Sequence, residues 1–117
     1  MTDSRLRIHE EEGVTHVEFL DRNILDEANI EQIGREIEQC IDASPKPQLV
    51  IDFSNVEHLS SAALGKLITL NSRVRSRGGG LRLAQIDPQI YEVFTITKLD
   101  QLFEIHDTVD EAVRTFA

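Results

Sequence analysis

The sequence predicts an α/β protein with a mainly parallel, mixed β-sheet of about five strands and about four helices. Segments with apolar residues at helical spacing alternate with short apolar runs of the length of buried strands. Two alternating segments around Gly13 come before this pattern, and they predict an antiparallel hairpin at one edge of the sheet. The predicted element order is therefore ββαβαβαβα.

Composition limits the class of protein. The 117 residues are 40% hydrophobic and 28% charged, which is typical of one globular domain, and we assign residues 1–117 to it. The net charge of −9 argues against nucleic acid or an anionic membrane as the main partner. No apolar run is long enough for membrane insertion, and the start of the chain has no signal-peptide pattern. Cys40 is the only cysteine, so we expect no internal disulfide and a cytoplasmic location.

The first half of the chain predicts the hairpin, one helix and a central strand. Residues 5–11 and 14–20 alternate between apolar and polar side chains, as half-buried strands do. Asp26 has the position of an N-cap. The helix after it has an apolar face made of Ile30, Ile33, Ile37 and Ile41. Residues 44–47 include two prolines that end this helix, and residues 49–51 form a strand buried on both faces.

The second half begins with a polar loop, residues 52–59, and a helix capped by Ser60. The apolar face of this helix consists of Leu64, Leu67, Ile68, Asn71 and Val74. The triple glycine at 78–80 follows a helix and precedes a strand, which is the reverse of a phosphate-binding loop. It is therefore interpreted as a helix C-cap and turn.

The remaining elements are a strand, a helix, a strand and a helix. Residues 81–84 are strand-like, and Pro88 opens a helix that contains Ile90, Val93 and Phe94. Residues 99–105 form an apolar, strand-like patch. Asp107 or Thr108 caps a last helix, whose inward face is made of Val109, Ala112, Val113 and Phe116.

The sequence contains no set of residues typical of catalysis or metal binding. Its four histidines are scattered along the chain, so no metal site is predicted. Cys40 lies near the buried side of its helix and is interpreted as a small core residue. His58 and Ser61 are close in sequence, but no third group completes a nucleophile and base. We therefore predict no catalytic residue and no enzymatic activity.

Two adjacent serines at the start of the central helix remain to be explained. If Ser60 is the N-cap, its hydroxyl accepts a backbone N–H of the first turn and Ser61 stays free. A phosphate on Ser61 would meet the positive end of the helix dipole and free N–H groups. Ala62 and Ala63 are small, so a partner could approach closely. The structural alternative is that Ser61 is an ordinary first-turn residue.

The segment DFSNVEHLSSAALGKL, residues 52–67, resembles the signature of STAS domains, in particular bacterial anti-sigma factor antagonists. The positions that match are Asp52, Phe53, Ser54, Val56, Leu59, Ser61, Leu64 and Gly65. The segment VFTITKLDQLFEIHDTVDEAV also resembles the usual end of these domains. Three positions depart from the pattern: Ser60 replaces an Asp, Ala62 a Ser or Thr, and Ala63 a Gly.

The resemblance implies a STAS fold and a partner switch that regulates sigma-factor-dependent transcription. The unphosphorylated domain would bind an anti-sigma factor with an ATPase-like serine kinase fold. That kinase would phosphorylate Ser61 and end the binding, and a serine phosphatase would restore it. ATP and Mg²⁺ belong to the kinase, so no cofactor is expected here. The implied partner surface is Asp52, Ser54, Asn55, His58, Ser60, Ser61, Ala62, Ala63, Gly65 and Lys66.

Other functions stay open from the sequence. A STAS subunit could bind constitutively, as an adaptor in a lipid-transport ATPase or a signalling assembly. A module that binds a nucleotide or small ligand is less well supported, since the phosphate-loop order is absent. An ester hydrolase is the least supported.

Overall fold

The computed structural model describes residues 6–116, which form a five-stranded mixed sheet flanked by helices. The elements are β1 (Leu6–Glu11), β2 (Val14–Phe19), β3 (Asn23–Ile24), α1 (Glu27–Asp42), β4 (Gln48–Asp52), β5 (His58–Leu59), α2 (Ser61–Ser76), β6 (Gly80–Ala84), α3 (Pro88–Ile96), β7 (Glu104–His106) and α4 (Val109–Arg114). A 3₁₀ turn, Leu99–Gln101, lies between α3 and β7. The predicted α/β class with a mixed sheet of five strands and four helices is confirmed.

The main sheet has the strand order β1-β2-β4-β6-β7. The β1–β2 hairpin is antiparallel, and every other pair in this sheet is parallel. Because helices connect the parallel strands, the carboxyl ends of β2, β4, β6 and β7 lie along one edge of the sheet. The start of the first predicted strand, Arg5, lies outside the described residues.

Two sequence predictions are corrected. Residues 52–59 were expected to form a loop throughout, but His58–Leu59 pairs in parallel with Asn23–Ile24 as a separate two-stranded sheet. Such a short pair is set by contacts distant in sequence and leaves no periodic pattern. Residues 99–105 were expected to be strand-like as a whole, but they begin with the 3₁₀ turn and only Glu104–His106 is a strand.

The core lies on both faces of the sheet. The larger cluster lies on the α1 and α2 side, and it receives Leu49 and Ile51 from β4. The smaller cluster contains Val50, which packs with Val14, Ala84 and Ala112 beneath α4. β4 is therefore buried on both faces, which is why its sequence is continuously apolar. The predicted caps Asp26 and Ser60 are confirmed, and Thr108 is the cap of the last helix. Asp87 caps α3, which was not predicted. Each of the four accepts a first-turn N–H.

Gly78 and Gly79 end α2 and form the turn, as predicted, whereas Gly80 is already the first residue of β6. Gly78 has φ +75°, a left-handed conformation typical of the residue after a helix C-cap. The N–H of Gly79 donates to the Val74 carbonyl at 3.1 Å. A β-carbon at Gly79 would overlap the carbonyl oxygen of Pro47, so the close approach of these two backbones requires glycine.

We predict opposite effects for two glycine-to-alanine changes. Gly79→Ala should lower the free energy of unfolding by about 1–3 kcal/mol, because the new methyl group meets the backbone of Pro47. Gly65→Ala, within α2 and with open space around its β-carbon, should raise it by about 0.5–1 kcal/mol. Urea denaturation of the wild type and the two variants measures both effects. A Gly79→Ala variant with the same free energy of unfolding as the wild type would contradict the packing of Gly79 against Pro47.

Candidate functional site

The candidate site lies at the carboxyl edge of the sheet, where β4 ends and α2 begins. Asp52 closes β4, and its carboxylate accepts the N–H of Ser54 at 2.9 Å and the Gln85 side-chain amide at 3.3 Å. These two hydrogen bonds set the direction in which the chain leaves the sheet. Asp52, which was predicted to belong to the partner surface, therefore uses its carboxylate to hold the loop after β4.

The loop from β4 to α2 is held to the hairpin side of the sheet. Asn55 donates its side-chain amide to the Phe19 carbonyl at 3.0 Å and to a Glu18 carboxylate oxygen at 3.4 Å. Phe53 and Val56 point into the core, with 0% and 2% exposure. The exposed residues of the predicted partner surface are thus carried by a loop anchored at both polar and apolar positions.

A second set of backbone contacts holds the end of the loop. The N–H groups of Glu57 and His58 both donate to the Arg22 carbonyl, at 2.7 and 3.1 Å. The Ser60 N–H donates to the Ile24 carbonyl at 3.1 Å. The β3–β5 pair therefore fixes the residue that caps α2, which the sequence could not indicate.

The two serines have different roles, as predicted. The Ser60 hydroxyl accepts the N–H of Ala63 at 3.2 Å, and its carbonyl accepts the N–H of Leu64 at 3.1 Å. The Ser61 side chain is exposed, and its hydroxyl has no hydrogen-bond partner among residues 6–116. The N–H groups of Ser61 and Ala62 are likewise unpaired within this range, as at the start of most helices. Ser61 is the free hydroxyl at the start of α2.

The remaining residues of the predicted surface divide into exposed and buried ones. Ser54, His58, Ala62 and Gly65 are exposed. Ala63 is only 4% exposed and belongs to the larger core cluster, so its assignment to the partner surface is wrong. It lies on the inner face of α2 together with Leu64 and Leu67, a position that the helical period of the sequence could have given.

Lys66 is partly occupied by the fold. Its ammonium nitrogen lies 3.5 Å from a Glu31 carboxylate oxygen of α1, and its side chain is 23% exposed. Its methylene groups pack where a β-carbon at Gly34 would lie. Lys66 therefore ties α2 to α1, and only part of its side chain is exposed.

A cleft borders the start of α2. It has a volume of ≈ 210 Å³ and lies between β5, α2 and α3. Its lining residues are Glu57, His58, Leu59, Leu64, Gln89, Ile90 and Val93. Across the described residues no hydrogen bond joins His58 to Ser61.

Cys40 lies outside this site, on α1. It is half-buried, and burial raises the pKa of its thiol, with a smaller contribution from the Glu36 carboxylate. A thiol with a raised pKa is protonated at neutral pH and is a weak nucleophile. This agrees with the interpretation of Cys40 as a packing residue.

The histidines are less scattered than the sequence suggested. His9 and His16 face each other across the hairpin, and Glu11 lies beside both, so that the ligand atoms of the three residues are within 4.8 Å of one another. The hairpin register could have revealed this pair, because His9 and His16 are equally distant from the two-residue turn formed by Glu12 and Gly13. The fold therefore brings together two histidines and a glutamate that the sequence analysis treated as scattered.

The family follows from a comparison over most of the chain. A family model described as the STAS domain matches residues 7–112. The chain belongs to the STAS domain family. A relative from Bordetella bronchiseptica, BtrV, whose name describes an anti-sigma factor antagonist, is 25% identical over 95 residues, or 81% of each chain.

Solved structures share the fold of this STAS domain. An anti-sigma-factor antagonist STAS protein from Planctomyces limnophilus has a TM-score of 0.85 and 24% identity, covering 94% of this chain and 96% of that chain. The Bacillus cell fate determinant SpoIIAA, in its phosphorylated form, has a TM-score of 0.73 and 16% identity, covering 96% and 99%. Within the described part of this STAS domain, no helix combines the length and apolar character needed to cross a bilayer.

We predict that the adjacent serines of this STAS domain differ in their contribution to stability. Ser60→Ala should lower the free energy of unfolding by about 1 kcal/mol, because the Ala63 N–H loses its cap. Ser61→Ala should stay within about 0.5 kcal/mol of the wild type, since its hydroxyl bonds no described residue. Urea denaturation measures both values.

A Ser60→Asp variant is the control for the cap. Its carboxylate can accept the same N–H, so it should retain most of the wild-type stability. Equal losses for Ser60→Ala and Ser61→Ala would contradict the separation of roles.

Proposed function

We propose that this STAS domain is an anti-sigma factor antagonist that is switched off by phosphorylation of Ser61. In its unphosphorylated form it binds an anti-sigma factor with an ATPase-like serine kinase fold and so regulates transcription that depends on a sigma factor. A serine phosphatase acting on phospho-Ser61 restores the binding. The observation that carries the proposal is the exposed, unbonded Ser61 hydroxyl beside a neighbour that is used as the helix cap.

The fold tolerates a phosphate at this position. Phosphorylation adds about −1.5 to −2 charges. The added charge lies at the positive end of the α2 dipole, near the free N–H groups of Ser61 and Ala62. The first turn of α2 contains no acidic residue that would repel it. The modification therefore changes the surface of the domain and leaves the core packing in place.

The partner, in contrast, does not tolerate the phosphate. Ala62 and Gly65 are exposed and small, so a facing surface can come close to the start of α2. The adjoining cleft offers Leu59 and Val93 as apolar contacts. A doubly charged group buried against an apolar or acidic surface loses its hydration without gaining a partner charge. A penalty of about 3 kcal/mol would reduce the affinity about a hundredfold.

We assign the partner surface to the exposed residues around the start of α2. It consists of Ser54, His58, Ser61, Ala62 and Gly65, with the accessible part of Lys66 and the partly exposed Ser60 at its margin. Asp52 and Asn55 hold the loop in shape by the hydrogen bonds that they make. Their substitution should affect binding through the position of the loop.

The relatives support the class of partner. BtrV and a protein from Thermotoga maritima, the latter 29% identical over 66 residues, both have names that describe anti-sigma factor antagonists. We infer that this domain acts by binding and without catalysis of its own, that it needs no cofactor, and that it works in the cytoplasm. The net charge of −9 also makes nucleic acid an unfavourable partner.

The proposal predicts that a negative charge at Ser61 selectively ends binding. The tagged wild-type protein and its Ser61→Ala variant should retain a kinase-like anti-sigma factor from a lysate of the source organism, identified by mass spectrometry. Ser61→Asp should lose it. Isothermal titration calorimetry with the purified partner should show an affinity about a hundredfold lower for Ser61→Asp.

Ser72→Asp is the matched control. Ser72 is exposed on the same helix, three turns from Ser61, so this variant has the same net charge without a charge at the start of α2. It should bind as the wild type does. If Ser61→Asp and the wild type hold the same partner equally well, the switch is refuted. The domain is then a constitutive adaptor. The identity of the retained partner, for example a lipid-transport ATPase, shows to which assembly the domain belongs.

A further inference from the structure

One face of the β1–β2 hairpin is only partly covered by a helix. On this side of the sheet α4 packs over Val14, Val50 and Ala84, and it leaves β1 exposed. The strand β1 lies at the sheet edge, beyond β2, and all of its residues after Leu6 are exposed. Two imidazoles and one carboxylate converge on this face. His9 and His16 line a cleft of ≈ 290 Å³ together with Val109 of α4, and Glu11 lies beside both histidines.

The hairpin register brings the three side chains together. His9 and His16 are directly opposed on β1 and β2, and their rings stack with centroids 4.6 Å apart at an angle of 18°. Glu11 lies two residues after His9 on the same strand face, diagonal to His16. Its carboxylate oxygen Oε2 is 3.8 Å from Nε2 of His9 and 3.9 Å from Nε2 of His16.

This geometry is close to what a tetrahedral metal site needs. Zn²⁺ binds imidazole nitrogen and carboxylate oxygen at about 2.0–2.2 Å, so neighbouring ligand atoms are about 3.3 Å apart. The three ligand atoms of the cluster lie within 4.8 Å of one another. The side chains of His9 and Glu11 are 58% and 67% exposed, and that of His16 is 15% exposed. Binding requires the stacked His9 and His16 rings to turn so that their nitrogens converge on one ion.

The environment of His16 is only partly open to solvent. Burial, and secondarily the neighbouring His9, lower the pKa of His16, while Glu11 and Asp110 of α4 act in the opposite direction.

We propose that His9, His16 and Glu11 form a binding site for a first-row divalent cation of the Zn²⁺ class. The two imidazoles and the carboxylate supply three ligands, and water takes the fourth position. The site is independent of Ser61, because it lies on the hairpin and shares no residue with the start of α2.

Calorimetric titration of the full chain with Zn²⁺ at pH 7.5 tests the site. The wild type should bind one ion. His9→Gln and His16→Gln should each weaken binding by at least about tenfold, since the loss of even an outer partner of a metal ligand costs that much. Circular dichroism without metal checks that the variants fold, which the exposure of His9 favours.

His106→Gln is the matched control. His106 also lies beside a carboxylate, with Nε2 3.6 Å from Glu104 Oε2, but it has no second imidazole in the described cluster. This variant should bind Zn²⁺ as the wild type does, and Co²⁺ should give the visible spectrum of a tetrahedral site only where His9 and His16 are both present. Absence of binding to the wild type, or wild-type affinity in His9→Gln, would overturn the assignment.

Discussion

The hydrogen bond from the Ala63 N–H to the Ser60 hydroxyl fixes the start of α2, and the geometry of the whole candidate site depends on it. Ser60 is itself held by the bond from its N–H to the Ile24 carbonyl, which comes from the small β3–β5 sheet. The position of the capping residue is therefore set by a contact outside α2. One serine is occupied by the fold, and the next in sequence is left exposed with a free hydroxyl.

The loop between β4 and α2 also helps to fix the position of Ser61. Asp52 and Asn55 hold the loop after β4, and Phe53 and Val56 anchor it in the core. A phosphate added at Ser61 would therefore act on a surface whose backbone is already fixed. Its effect would be transmitted to a partner through charge and hydration, with little change in the domain itself. A partner switch needs this combination of a stable fold and a surface whose charge can change.

The sequence predicted the features that depend on local physical chemistry. The caps Asp26 and Ser60 follow from side-chain hydrogen bonding to the first turn. The central strand β4 follows from its continuous apolar character. The position of Ser61 follows from the cap, and the match to the STAS signature added the class of partner.

What the sequence did not predict depends on contacts between distant residues. The two-residue strands β3 and β5 are too short to show a period. The bond from Asn55 to Phe19 joins segments that only the fold brings together. The burial of Ala63 is the exception, since it follows from the helical period that also places Leu67 and Val74 inside. The pairing of His9 with His16 depends on the register of the β1–β2 hairpin.

The most direct test of the central claim is the position of phosphate on the protein isolated from its own cells. Intact-mass measurement followed by fragmentation of the peptide that contains both serines separates Ser60 from Ser61. We predict a phosphorylated fraction with the phosphate on Ser61 and none on Ser60, whose hydroxyl is used by the helix cap. Phosphate on Ser60, or no phosphate on either serine under conditions that activate and repress the sigma factor, would contradict the account.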